Sequence, residues 1–163
     1  MSINFYKAEC QELTITNKEF GLCDDQNSTK AYTNIDDPLK WIATVKNAQN
    51  KPLVFTAIDK CIIKDNEETG RGRCDGMLTS SEHIYFVELK DVKPPWITGA
   101  IEQLESTIQF FIVNHDINRY RHKKAFACNK KRSHFHEIDN ESNLNFFRTY
   151  RVRIDVQAEI III

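Results

Sequence analysis

Along the chain, the clearest alternation between polar and apolar positions lies between Arg73 and Lys90, in RCDGMLTSSEHIYFVELK. Ile84-Tyr85-Phe86-Val87 is an apolar run of β-formers, and a short polar stretch, Ser80-Ser81-Glu82-His83, separates it from Thr79. The segment reads as one β-hairpin. With the turn centred on that polar stretch, antiparallel pairing sets Asp75 across from Glu88, with Cβ atoms roughly 5 Å apart. Side chains alternate along a strand, so Glu88 and Lys90 share a face while Leu89 points to the other. A register shifted by one residue would separate the two acids and leave an ordinary solvated hairpin face.

The remaining pattern supplies the other elements. Asp36-Asp37-Pro38 reads as a helix start, because Asp caps free amides and Pro suits the first turn. Leu39, Ile42, Ala43 and Val45 carry that helix to Lys46, with Trp41 on its flank. Leu53 to Ile58 is a predicted strand, resuming at Cys61-Ile62-Ile63, and Asp59 at its end is either a turn residue or a further acid facing the site. Lys64 to Arg73, with Gly70 and Gly72, is a charged loop that reads as a lip beside the hairpin. After Pro95, Ile97, Ile101, Leu104, Ile108 and Phe111 form one helical stripe, with Gln103 at its edge and Glu102 and Glu105 on solvent-facing sides. Lys124 to Cys128 reads as a strand, and Glu137 to Tyr150 as a loop or short helix. Val152, Ile154, Val156 and Ala158 alternate with polar residues, as in a half-buried strand, and Ile160 to Ile163 is apolar enough to predict a buried strand end or a sticky interface. Residues 1–35 hold only scattered apolar anchors (Phe5, Tyr6, Leu13, Phe20, Leu22) and read as an N-terminal extension to a core of about residues 36–163. This order predicts an α/β or α+β fold: a single domain, 1–163, with one central mixed sheet flanked by helices.

Composition changes this picture little. A chain of 163 residues is long enough for one domain with a real core. No secretory leader opens it and no apolar run approaches the length of a membrane span, which predicts a cytoplasmic location and no membrane partner. Cys10, Cys23, Cys61, Cys74 and Cys128 are odd in number and form no C-x-x-C pair, which favours reduced thiols over a disulfide framework. His134-x-His136 with Cys128 lacks a matching second half for zinc, and loop histidines are the plainer reading. The net charge of −1 does not advertise nucleic acid, but Arg119, Arg121, Lys123, Lys124, Lys130, Lys131 and Arg132 fall within fourteen residues that contain no acid. Such a strip attracts phosphates, or is merely a solvated face.

Two carboxylates at hairpin distance either share a proton or take up a cation. Hard divalent ions use one or two carboxylates plus carbonyls and water, leaving positions open for phosphate, and a lysine alongside can orient the attacking water. Asp75, twelve intervening residues, then Glu88-Leu89-Lys90 resembles the PD-(D/E)XK nuclease superfamily, in which the D…ExK residues lie on neighbouring strands of a small mixed sheet. Gly76 after the aspartate, the apolar run before Glu88, and Gln103 on the helix after the motif add to the resemblance, which covers about residues 53–128; Cys74 stands where the family has proline. The resemblance implies a restriction-endonuclease-like core, and a Mg²⁺ or Mn²⁺ ion held by Asp75, Glu88 and the Leu89 carbonyl. It implies Lys90 and Gln103 as further catalytic residues, and a nuclease cleaving DNA, or less readily RNA. The basic segment would then track the phosphate backbone, with target choice left to a partner protein, a homodimer, or neither. The rivals are a non-cleaving nucleic-acid-binding or assembly module of the same fold, and an enzyme acting on a small phosphorylated molecule.

Overall fold

The computed structural model describes residues 2–68, 70–131 and 140–163. The fold is α+β, but the sheet expected to be single is two. A five-stranded sheet has the order β4 (Val54–Ala57), β5 (Gly76–Thr79), β6 (His83–Lys90), β7 (His122–Asn129), β8 (Arg153–Val156). A four-stranded sheet has the order β2 (Tyr32–Asn34), β1 (Glu19–Cys23), β3 (Ala43–Lys46), β9 (Glu159–Ile161). In the larger sheet β4, β5 and β6 run antiparallel and β6, β7 and β8 parallel, with α1 (Ile97–Asn114) as the crossover from β6 to β7 and α2 (Asn140–Tyr150) as that from β7 to β8.

These elements stack as helices, larger sheet, smaller sheet, with a core at each junction. Ile84, Phe86, Ala125 and Ala127 meet Ala100, Leu104, Ile108 and Phe111 of α1 and Phe146 of α2 on one side. Tyr85, Val87, Leu89, Phe126 and Cys128 meet Phe20, Leu22, Val45 and Ile160 of the smaller sheet on the other. Covering on both faces explains why β6 reads as an apolar run rather than an alternating one.

The sequence pattern is followed in α1, where the predicted stripe faces the sheet, and in β8, where Val152, Ile154 and Val156 are buried. Of the segment read as a loop or short helix, Glu137 to Tyr150, the part from Asn140 onward is helical; residues 132–139 lie outside the described residues. Ile160 and Ile162 are buried and Ile161 and Ile163 exposed, as befits the outer strand of the smaller sheet.

Three expectations are corrected. The helix drawn over residues 38–46 is a single 3-10 turn, Pro38–Lys40, followed by β3; Asp37 does cap it, accepting from the Leu39 amide at 3.3 Å. Ala43 and Val45 point inward while Thr44 and Lys46 point outward, and long-range pairing with β1 and β9 decides for the strand. The segment read as an N-terminal extension takes part in the core: β1 is an inner strand of the smaller sheet, and Glu12 and Ile15 donate to Phe55 O and Leu53 O at 2.9 and 2.8 Å, covering the outer edge of β4. Cys10 and Cys61 are joined in a disulfide that fixes this segment to the turn after β4, where Ile62 and Ile63 are buried without continuing the strand; Cys23, Cys74 and Cys128 are free and buried. No helix among the described residues is long and apolar enough to cross a membrane.

Gly21 in β1 carries the outer face of the smaller sheet against the Trp41 ring. A Cβ there would overlap the indole outright. Gly21→Ala should therefore expel the ring from its seat, lowering stability by about 1–3 kcal/mol. Denaturant midpoints and the tryptophan emission maximum measure this; an unchanged midpoint with an unshifted emission would refute the packing.

Candidate active site

The hairpin closes as the sequence indicates. Ser80 N–H donates to His83 O at 3.0 Å, and the Ser80 hydroxyl oxygen accepts from the amides of Glu82 and His83. The register pairs Thr79 with Ile84 and Gly76 with Val87, where it ends; Asp75 follows just outside β5, with its carboxyl beside that of Glu88. Glu88 and Lys90 continue the helix-side row of Ile84 and Phe86, and Leu89 continues the row facing the smaller sheet.

Past Gly76, β6 outlasts the regular pairing of β5, and Asp75 takes over. Its amide donates to Val87 O at 3.1 Å and its Oδ2 accepts from Leu89 N at 2.7 Å. Its own carbonyl accepts from Ile58 N at 2.9 Å, drawing in the turn that carries Asp59 and Lys60. Lys90 Nζ lies 3.2 Å from Glu88 Oε2. Two acids and a lysine thus meet at the end of β6, beside a cleft of about 200 Å³ whose walls include Asp59, Lys60, Asp75, Leu89 and Lys90.

The electrostatics follow from burial. Glu88 is 3% exposed. Loss of water, then the charge and proximity of Glu88, push the Asp75 carboxyl well above the usual range. Burial also raises Glu88, against the pull of Asp75 and of the Lys90 ammonium. Burial thus disfavours two carboxylate charges side by side, while the Lys90 ammonium favours the one on Glu88. Burial likewise pushes the thiols of Cys74 and Cys128 up, with Glu88 adding to both.

A divalent ion fits this donor set on one observation: Glu88 Oε1 is buried and has no hydrogen-bond partner among the described residues. Two carboxylates and a carbonyl are a sufficient protein contribution for Mg²⁺, which retains waters. Among the described residues there is no group of three or more His, Cys, Asp or Glu side chains arranged to hold a metal.

The other expected residues are distributed more widely. Asp59 lines the cleft, but its carboxylate accepts from Arg73 Nε at 2.8 Å, so it serves the charged loop. Arg73 also reaches Asp65, at 3.3 Å, tying that loop down. Gln103 lies on α1 in an adjoining cleft of about 290 Å³, with Arg71, Gly72 and Arg73, rather than among the residues around Asp75 and Lys90. Glu105 faces α2 and accepts from the Tyr150 hydroxyl at 3.2 Å instead of facing solvent alone.

The basic segment does not form one strip. Lys123 and Lys124 start β7 beside His83, and Lys130 and Lys131 follow its end beside Lys90. Lys123 and Lys130 stand seven positions apart along this extended stretch, roughly 23 Å. Arg119 lies over the Tyr6 and Tyr120 rings at the far end, Arg121 is exposed there, and Lys124 sits 3.8 Å from Asp155. At the near end Lys131 pairs with Asp91 at 3.0 Å and Lys130 reaches Leu39 O. Arg132, His134 and His136 lie outside the described residues. Cys128 is buried between the sheets.

Residues absent from the expected site come from the loop between β1 and β2. Asp24, Gln26, Ser28 and Thr29 line the cleft, and Gln26 Nε2 donates to Leu89 O at 3.3 Å. Their polarity is visible in the sequence, but their nearness depends on how the two sheets stack. A scan of family models and searches of curated proteins and of solved structures found no match to this chain.

Asp75 holds its proton more tightly in the folded chain than in the unfolded one. The resulting penalty is absent below the ordinary aspartate range. It grows as pH rises above that range, by up to about 1.4 kcal/mol per unit, until the folded-state titration is passed. Asp75→Asn keeps an acceptor for Leu89 N–H and removes the penalty. In EDTA, the melting temperature of the variant relative to wild type should climb as pH rises above the ordinary aspartate range. A difference that stays flat over this rise would show that Asp75 holds no such proton.

Proposed function

We propose that this chain is a nuclease that hydrolyses phosphodiester bonds of DNA or RNA at a site loaded with Mg²⁺ or Mn²⁺. The observation that carries this reading is the convergence of Asp75, Glu88 and Lys90 at the end of β6, with Glu88 Oε1 buried and unpartnered among the described residues. Glu88 and Lys90 stand on β6 of a mixed sheet and Asp75 directly precedes its neighbour β5, an arrangement that supports the resemblance to PD-(D/E)XK nucleases. On this reading the larger sheet with α1 is the restriction-endonuclease-like core, and the smaller sheet is an additional layer. The helix expected ahead of the sheet is replaced by β3, which is a departure from that pattern.

Asp75 and Glu88 would hold the ion, with the Leu89 carbonyl as third protein donor. When bound, the ion polarises a phosphoryl oxygen and makes bound water more acidic. Asp75 fixes the motif backbone through Leu89 N–H, so its carboxylate is oriented before any ligand arrives. Lys90 stands against Glu88 and is partly exposed to the cleft, where its ammonium can orient a water or offset charge on phosphate. Lys130 and Lys131 are the members of the basic segment nearest this end of the sheet and would meet the flanking backbone. Gln103, in the adjoining cleft, is placed to act on the substrate beside the scissile bond rather than on the ion.

One observation favours the alternative of a non-cleaving nucleic-acid-binding module: the Leu89 carbonyl already accepts from Gln26. Cleavage separates the readings. With Mg²⁺ or Mn²⁺, wild type should cut at least one of duplex DNA, single-stranded DNA or RNA, more weakly as salt rises. Asp75→Ala, Glu88→Ala and Lys90→Ala should each lose about a hundredfold or more, and Gln103→Ala less. A wild-type chain inert on all three substrates with both ions, yet retaining salt-sensitive binding, would replace the nuclease with the binding module.

A further inference from the structure

The Leu89 peptide is completed by side chains where strand pairing runs out. Its N–H is taken by Asp75 Oδ2 at 2.7 Å and its C=O by Gln26 Nε2 at 3.3 Å. Gln26 belongs to the loop joining β1 to β2, in the other sheet, so this contact bridges the two layers at the mouth of the site. The loop is shaped for it. Gln26 is left-handed, at φ 60°, with its N–H bound to Asp24 Oδ1 at 2.8 Å and its Nε2 also reaching Asp24 O at 3.3 Å. Asp24 thus anchors both the backbone amide and the side-chain amide of Gln26 beside the cleft.

We propose that Gln26 is a latch on the metal site: it holds the β1–β2 loop across the cleft and occupies the carbonyl that a divalent ion would take as its third protein donor. The inference rests on reading Asp75 and Glu88 as metal ligands. A carbonyl oxygen has two lone pairs, so sharing it between amide and ion is not forbidden by valence alone. Charge decides against sharing, because the amide hydrogens and a cation would both set positive charge against the same oxygen. Asp24, Gln26, Ser28 and Thr29 line the same cleft of about 200 Å³ as Asp75, Leu89 and Lys90, so the loop stands directly beside the carbonyl it occupies. Ion entry therefore releases the amide from the Leu89 carbonyl. The contact at 3.3 Å lies beyond the usual N–H···O range, so it is weak enough for a hard cation to displace. Gln26 is a positioning residue: it sets the affinity of the site without taking part in the chemistry.

The test is Mn²⁺ binding to the whole chain by calorimetry, comparing wild type with Gln26→Ala, Gln26→Met and Asp75→Asn. Methionine keeps the length of the side chain and drops the donor, so it separates the hydrogen bond from bulk and covers an alanine variant that folds badly. Loss of one neutral hydrogen bond that competes with the ion should tighten Mn²⁺ binding by about threefold to tenfold in both Gln26 variants. If wild type binds Mn²⁺, Asp75→Asn does not, and neither Gln26 variant binds more tightly, the latch is wrong while the metal site stands. If none of the four binds Mn²⁺, the metal site is wrong and the latch goes with it.

Discussion

Strand β6 is covered on both faces, and this constraint governs everything at its C-terminal end. Seven of its eight residues are buried, with Phe86 under α1 and Tyr85 and Val87 against the smaller sheet. Each of these large side chains contributes roughly 1.5–3 kcal/mol by leaving water. A slip of one residue would turn Tyr85 and Val87 toward the helices, and Glu88 and Lys90 into the layer between the sheets. The register is thus fixed by apolar packing well before the charged end of the strand is reached. Asp75, Glu88 and Lys90 inherit their positions from it.

That dependence explains which features are legible in the sequence. The hairpin can be read because its turn is short and polar and its strands adjoin, so register follows from the position of Ser80 and His83. The stripe on α1 and the alternation through Val152, Ile154 and Val156 are likewise local. The second sheet is not local. β3 pairs with β1 from earlier in the chain and with β9 from its far end. The residues before it carry real helix-start signals, which the structure uses for a single turn capped by Asp37. Capping chemistry says where a helix can begin, and tertiary pairing decides whether it continues. The disulfide is equally hidden, since Cys10 and Cys61 are 51 residues apart and meet only because the N-terminal segment runs along β4.

The candidate site divides along the same line. Its acids and lysine lie on one hairpin and can be found from its pattern; Asp24 and Gln26 reach it from the opposing layer and cannot. The basic segment misleads in the opposite sense. Its residues are adjacent in sequence, but a strand is extended, so β7 carries Lys123 and Lys130 to different ends of the sheet. Density of charge in a sequence becomes density on a surface only if the chain there doubles back.

Magnitudes bear on whether the buried acids are structural ornament. Two unit charges about 5 Å apart repel by roughly 3 kcal/mol at an effective dielectric near 20, and a lysine at ion-pair distance from one of them attracts by somewhat more. Lys90 can therefore offset Glu88, and it leaves the charge of Asp75 without a counterpart of its own. A half-buried acid in that position, against a buried one, is an inefficient way to stabilise a fold, since apolar replacements of similar volume commonly serve as well or better. What the arrangement does supply is an oriented pair of carboxylates whose second charge must be met by something that comes and goes. A proton meets it at one charge and a divalent ion at two, and Glu88 Oε1, buried without a donor among the described residues, is an acceptor left open to either.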